Sequence, residues 1–186
     1  FVSDQVPIDH RETYQFSVWI YWVDKGDASG YHGVVESSTD ILNLDGTSNT
    51  NPYFRSNLQT ANVQVGEWYL SVGYVHGSGT TGTTNYGAVY RQLDGSVATA
   101  STDFRFTTSA TTIGTRAFMY YDESGNAEAF FFDPRIHLVD GSEPSPQQLL
   151  GSDPRDFVTL STAQTFSGAK TFSSNVLLDS EVLYFG

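Results

Sequence analysis

The 186 residues carry 21 acidic against nine basic groups, a formal charge of −12, with 15% aromatics, 17 glycines and no cysteine. That charge repels phosphate backbones and anionic lipid surfaces, which argues against nucleic-acid partners and membrane insertion. The missing cysteines remove disulfides and thiolate metal sites and leave the compartment open.

The length fits one core-bearing domain plus an appendage, and short apolar runs separated by Gly, Ser, Thr and Asn, with a single Met, suit a β-sandwich or barrel. No apolar run is long enough to span a bilayer, and no basic n-region precedes an apolar core. With Phe1 where an initiator Met would stand, the chain reads as a segment of something larger.

In chain order, residues 14–23 place Tyr14, Phe16, Val18, Ile20 and Trp22 on one side and Gln15, Ser17, Trp19, Tyr21 and Val23 on the other. A strand dressed on both faces is central. Short strands are expected over 39–44 and 61–65, and a second central strand over 68–76, with Trp68, Leu70, Val72 and Tyr74 facing one way. Asp94-Gly95 between Val89-Tyr90 and Val97 signals a two-residue hairpin, because both residues tolerate positive φ. Residues 103–107, 116–121 and 128–139 complete the set, with 123–126 as a hairpin turn between the last two. About eight strands with turn signals between them favour a two-sheet jelly roll.

Beyond the last strand, Ser145 can cap a helical turn, Pro146 suits its first position, Gln148 completes a capping box and Gly151 ends it. The expected organisation is an all-β jelly-roll sandwich with one short helix over 1–151, a polar linker over 152–160, and a shaft-like β tail over 161–186. In that tail Thr165-Phe166-Ser167 recurs six residues later as Thr171-Phe172-Ser173. An even period keeps both phenylalanines on one side of an extended strand, a stripe that needs partner copies to be buried. A homo-oligomeric, threefold shaft follows as the expectation, with an edge strand or a linker as the alternative.

Two resemblances add to this. Residues 162–174 resemble the shaft-forming segments of bacteriophage tail fibre proteins. Residues 3–151 resemble the jelly-roll carbohydrate-binding-like domains of such fibres, on four blocks in order: 6–9 with 13–20, 66–76, 116–122 and 132–145. The front departs from the pattern, since Phe1 leaves little room for a first strand, so that an edge is missing or is supplied by another chain.

The resemblance implies a homotrimeric virion fibre component that binds host-surface carbohydrate and contacts other virion proteins. A purely structural virion protein is the second reading, and an accessory module of a polysaccharide depolymerase the third. The resemblance also implies one structural Ca²⁺, with Asp133 and Asp9 as candidate ligands, although Asp133 capping a bend before Pro134 and Asp9 turning with His10 explain them equally.

Sugar recognition needs aromatic plates beside planar hydrogen-bonding groups. Trp19, Tyr21, Tyr69 and Tyr121, opposite the main core series of their strands, are the candidate plates, with Arg116, Arg105 or His76 as polar companions. Burial of both faces of a central strand is the competing explanation. The loop 76–85 lacks the Lys-Ser/Thr ending of a phosphate cradle and reads as a mobile loop at a binding rim. No Gly-x-Ser-x-Gly elbow, metal-spaced histidines or marked carboxylate pair appears, so no enzymatic activity is expected.

Overall fold

The computed structural model describes residues 1–35, 39–59 and 62–151. Among them are twelve strands and one helix: β1 (Val6–Pro7), β2 (Tyr14–Asp24), β3 (Ser29–Val34), β4 (Ile41–Asn43), β5 (Tyr53–Ser56), β6 (Trp68–His76), β7 (Ala88–Arg91), β8 (Val97–Ala100), β9 (Phe104–Phe106), β10 (Thr112–Ile113), β11 (Thr115–Tyr120), β12 (Glu128–Leu138) and α1 (Pro146–Leu150). The expected linker over 152–160 and shaft over 161–186 lie outside the described residues.

β2 is the central strand that its two-sided apolar dress requires. It pairs antiparallel with β12 on one edge and with β6 on the other, inside a seven-stranded sheet of order β12-β2-β6-β7-β8, with β9 joining β6 and β4 joining β9. A three-stranded sheet, β11-β3-β5, packs across it, and β1 with β10 forms a small ribbon. The interior is shared by both sheets. Phe16 and Val75 of the large sheet meet Val34 and Phe54 of the small one, and Val18, Ile20 and Trp22 meet Ala117. The all-β two-sheet sandwich expected from composition and patterning is what forms.

β3 and β5 are not evident from propensity, because β3 carries two glycines and β5 is short. Packing accounts for those glycines: a Cβ on Gly30 would stand 2.7 Å from the Trp22 indole, and one on Gly33 2.3 Å from the Pro52 carbonyl oxygen. The strand expected over 61–65 does not form over residues 62–65; Val63 enters the core there and its carbonyl accepts from Lys25 Nζ. Residues 123–126 do not join a hairpin either. β11 pairs with β3 and β12 with β2, so this turn crosses between sheets, held where Ser124 N and Oγ donate to Asp27 Oδ1 (3.1 and 2.8 Å).

At the front, residues 1–3 run along the free edge of β11. The Phe1 amino group donates to the Ala117 carbonyl (2.7 Å) and the Ser3 amide to that of Thr115 (2.9 Å). Val2 forms an isolated antiparallel bridge with Arg116 between these two bonds. The Asp94-Gly95 hairpin joins β7 to β8, with Gly95 at φ +69°, and α1 carries the expected capping box between Ser145 and Gln148.

His32 lies fully buried between the sheets against Phe54, with Nδ1 2.9 Å from Ser71 Oγ and Nε2 without a partner. Burial pushes its pKa from 6.5 down to about 3, because the cation would lose its hydration. Below pH 6.5 the unfolded chain therefore takes up a proton that the folded chain refuses. Stability is expected to fall as pH drops from 6.5 toward 3, by up to about 1.4 kcal/mol per pH unit. Thermal melts between pH 7 and 4.5 should show this slope, and His32→Gln should flatten most of it; His137, lowered in the same direction by burial, supplies a remainder.

Candidate functional site

The two faces of each sheet have different fates. On the large sheet, the face turned away from the sandwich interior carries Trp19, Trp68, Leu70 and Val72, and α1 lays Leu149 on them. Trp19 is 2% exposed and meets Trp68 edge-on at 6.4 Å. Tyr21 is half-buried on the same face, 5.1 Å from Trp68 and 6.4 Å from Phe130.

Tyr69 lies elsewhere. The β2–β6 register sets it opposite Ile20, whose side chain points into the sandwich, so Tyr69 is fully buried in the interior. Its hydroxyl donates to Glu67 Oε2 (3.0 Å) and accepts from the Gln64 amide (2.7 Å), and burial raises its pKa. The expected patch of Trp19, Tyr21 and Tyr69 therefore does not assemble: the first is core beneath a helix and the third is core between the sheets.

Arg116 belongs to the small sheet and Tyr121 follows directly after its strand β11; the outer face of this sheet is uncovered among the described residues. Alternation along β11 turns Ala117 and Met119 inward and leaves Arg116, Phe118 and Tyr120 outward. The register sets Phe118 beside Tyr31 of β3, their rings stacked at 5.2 Å, and Tyr53 of β5 completes the group at 4.9 Å from Tyr31 and 6.0 Å from Phe118.

Gly33 lies between Arg116 and Tyr53 in the register. Without a side chain there, the two meet across the strand, and the guanidinium carbon sits 4.4 Å above the Tyr53 ring. At the end of β11, Tyr121 takes φ +62°, a conformation that a bulky residue rarely adopts. This breaks the alternation and sets its ring against Tyr120 at 4.6 Å, so that consecutive tyrosines line one cleft. The cleft measures about 410 Å³, and Tyr31, Asn51, Tyr53, Phe118, Tyr120 and Tyr121 line it. Tyr120 and Tyr121 are 59% and 63% exposed, so both rings remain free for a ligand.

Sequence reasoning named Arg116 and Tyr121 but not Tyr31, Asn51, Tyr53, Phe118 or Tyr120. The shared parity of Arg116, Phe118 and Tyr120 was a readable signal; Tyr31 and Tyr53 sit on the strands that propensity conceals.

The other candidates separate. Asp9 is held by Arg11 through Nε and Nη2, which keeps its carboxyl below the ordinary range. Asp133 sits at φ +50° in a bulge of β12 and pairs with Arg135 Nε at 2.7 Å. Each carboxylate has its own arginine, and the described residues contain no group of three His, Cys, Asp or Glu able to hold a metal.

His76 lies 3.5 Å from Asp103, whose buried carboxylate accepts from the Tyr74, Tyr86 and Gly87 amides. The loop that follows is pinned at its start, by Ser78 N to the His10 carbonyl (2.7 Å) and by Arg105 Nη1 to the Thr80 carbonyl (2.7 Å). No protein-family model, no curated protein and no solved structure matches this chain.

Trp19→Ala should therefore act on stability. Loss of a buried indole beneath α1 is expected to cost about 3–5 kcal/mol, read as a lower urea midpoint with an unchanged slope, whereas Tyr121→Ala should leave the midpoint almost where it was.

Proposed function

We propose that this domain is a carbohydrate-binding attachment module of a virion fibre and that the cleft on the β11-β3-β5 sheet is its sugar site. The observation that carries this reading is the concentration of five aromatic rings, Asn51 and a ring-stacked arginine on one exposed sheet face. Pyranose rings present apolar C–H faces that lie against aromatic plates, while hydroxyls bind amide, phenol and guanidinium groups. Cross-strand ring contacts hold the plates before a ligand arrives, which lowers the entropy lost on binding.

Attachment through a shallow cleft calls for several copies, since linked weak sites gain avidity without new contacts. The Thr-Phe-Ser repeat of the tail supports a homotrimeric shaft as the source of those copies, and its resemblance to phage fibre shafts supports a virion location. The external ligand would be host-surface glycan.

The burial of Trp19 and Tyr69 favours a second reading, in which the domain is a spacer or decoration that binds only other virion proteins. Glycan-array binding of the full chain separates the two, run with calcium and with chelator. The attachment reading predicts saturable binding that Tyr120→Ala weakens by about tenfold, some 1.4 kcal/mol, while Trp68→Phe leaves it intact. Absence of binding to every glycan, from folded protein, would favour the spacer.

A further inference from the structure

With 21 acidic side chains in the sequence, carboxylates abound. Arg11 binds Asp9, Arg91 binds Glu67 and Asp94, and Arg135 binds Asp133. Arg105 and Arg55 donate to the carbonyls of Thr80 and Ala100.

Arg116 differs from all of these. Among the described residues it forms no ion pair and donates no hydrogen bond; its Nε is buried without a partner, while its terminal nitrogens are not buried. The guanidinium is nevertheless held in place, 4.4 Å over the Tyr53 ring and 6.0 Å from that of Phe118. Both rings line the cleft, and the cation packs on them next to it.

A guanidinium fixed on an aromatic ring with its outer nitrogens free is a preorganised receptor for a planar anion, which the two parallel N–H groups grip at once. From this we infer that the cleft takes a carboxylate-bearing sugar, a uronic-acid type of residue, with Arg116 receiving the carboxylate and the rings of Tyr53, Phe118 and Tyr120 receiving the sugar face. The inference rests on reading the cleft as a sugar site. A single arginine matches a single carboxylate, and the overall charge of −12 disfavours ligands of denser charge such as phosphate polymers.

The test is calorimetric titration of the full chain with a panel of uronic-acid oligosaccharides and with the same oligosaccharides after reduction of their carboxyl groups to alcohols. The acid form is expected to bind about tenfold more tightly or better, as a charge-assisted hydrogen-bonded pair should. Arg116→Gln is expected to bring the acid form down to the affinity of the reduced form.

Equal affinity of the two forms for the unaltered chain, or a preference that survives in Arg116→Gln, overturns the inference. The sugar-site reading would still stand if Tyr120→Ala weakened that binding. Failure of both forms to bind overturns the inference, and the sugar-site reading then rests on neutral glycans alone. The comparison on the unaltered chain decides the point even if Arg116→Gln fails to fold, which its melting temperature would reveal.

Discussion

The ladder between β2 and β6 is the constraint from which the rest of the molecule follows. Period-2 alternation divides each strand into two side-chain sets, but only the register decides which set faces which. Pairing Ile20 with Tyr69 and Trp19 with Leu70 sends Ile20 and Tyr69 inward together and places Trp19 and Leu70 together on the opposite face. Because both sets are large and apolar, both faces of the sheet must be covered. One is covered by the small sheet; over the other α1 supplies Leu149, helped by the aromatic stretch of β12 that runs alongside β2. The fully dressed sheet is thereby committed to being core.

The small sheet is under no such demand. Its inner face supplies Ala117, Val34 and Phe54 to the interior, and its outer face is free to carry chemistry. The glycines of β3 make that division work on both sides. Gly30 lets the Trp22 indole approach from within, and Gly33 lets the Tyr53 ring approach Arg116 from without. A methyl group at either position would collide with a group that the fold needs where it is, so Gly30 serves packing and Gly33 serves the cleft. Tyr121 extends the same economy to the strand end, where one residue at positive φ redirects a ring that alternation would have sent elsewhere.

Much of the frame was legible in the sequence for identifiable reasons. β2 and β6 announced themselves by length and two-sided dress, the β7–β8 hairpin by Asp94-Gly95, and α1 by Ser145, Pro146 and Gln148. β3 and β5 were not legible, because their residues answer to distant partners: Gly30 to Trp22 and Gly33 to Tyr53. The turn at 123–126 has the residues of a hairpin, yet it joins different sheets, since nothing local tells β11 to pair with β3. The candidate site was half legible for the same reason. Arg116 and Tyr121 could be named, but their partners come from strands that the sequence conceals, and Tyr69 was set on the wrong side because alternation alone does not distinguish inside from outside.

The central claim is that the aromatic residues divide into a covered set around Trp19 and Tyr69 and a free set around Tyr120 and Tyr121. Hydroxyl-radical footprinting of the folded chain, read residue by residue by mass spectrometry, tests it without any ligand. The account predicts rapid labelling of Tyr120 and Tyr121, with Trp19 and Tyr69 labelled only after unfolding. Labelling of Trp19 or Tyr69 in the native protein as rapid as that of Tyr120 would contradict it.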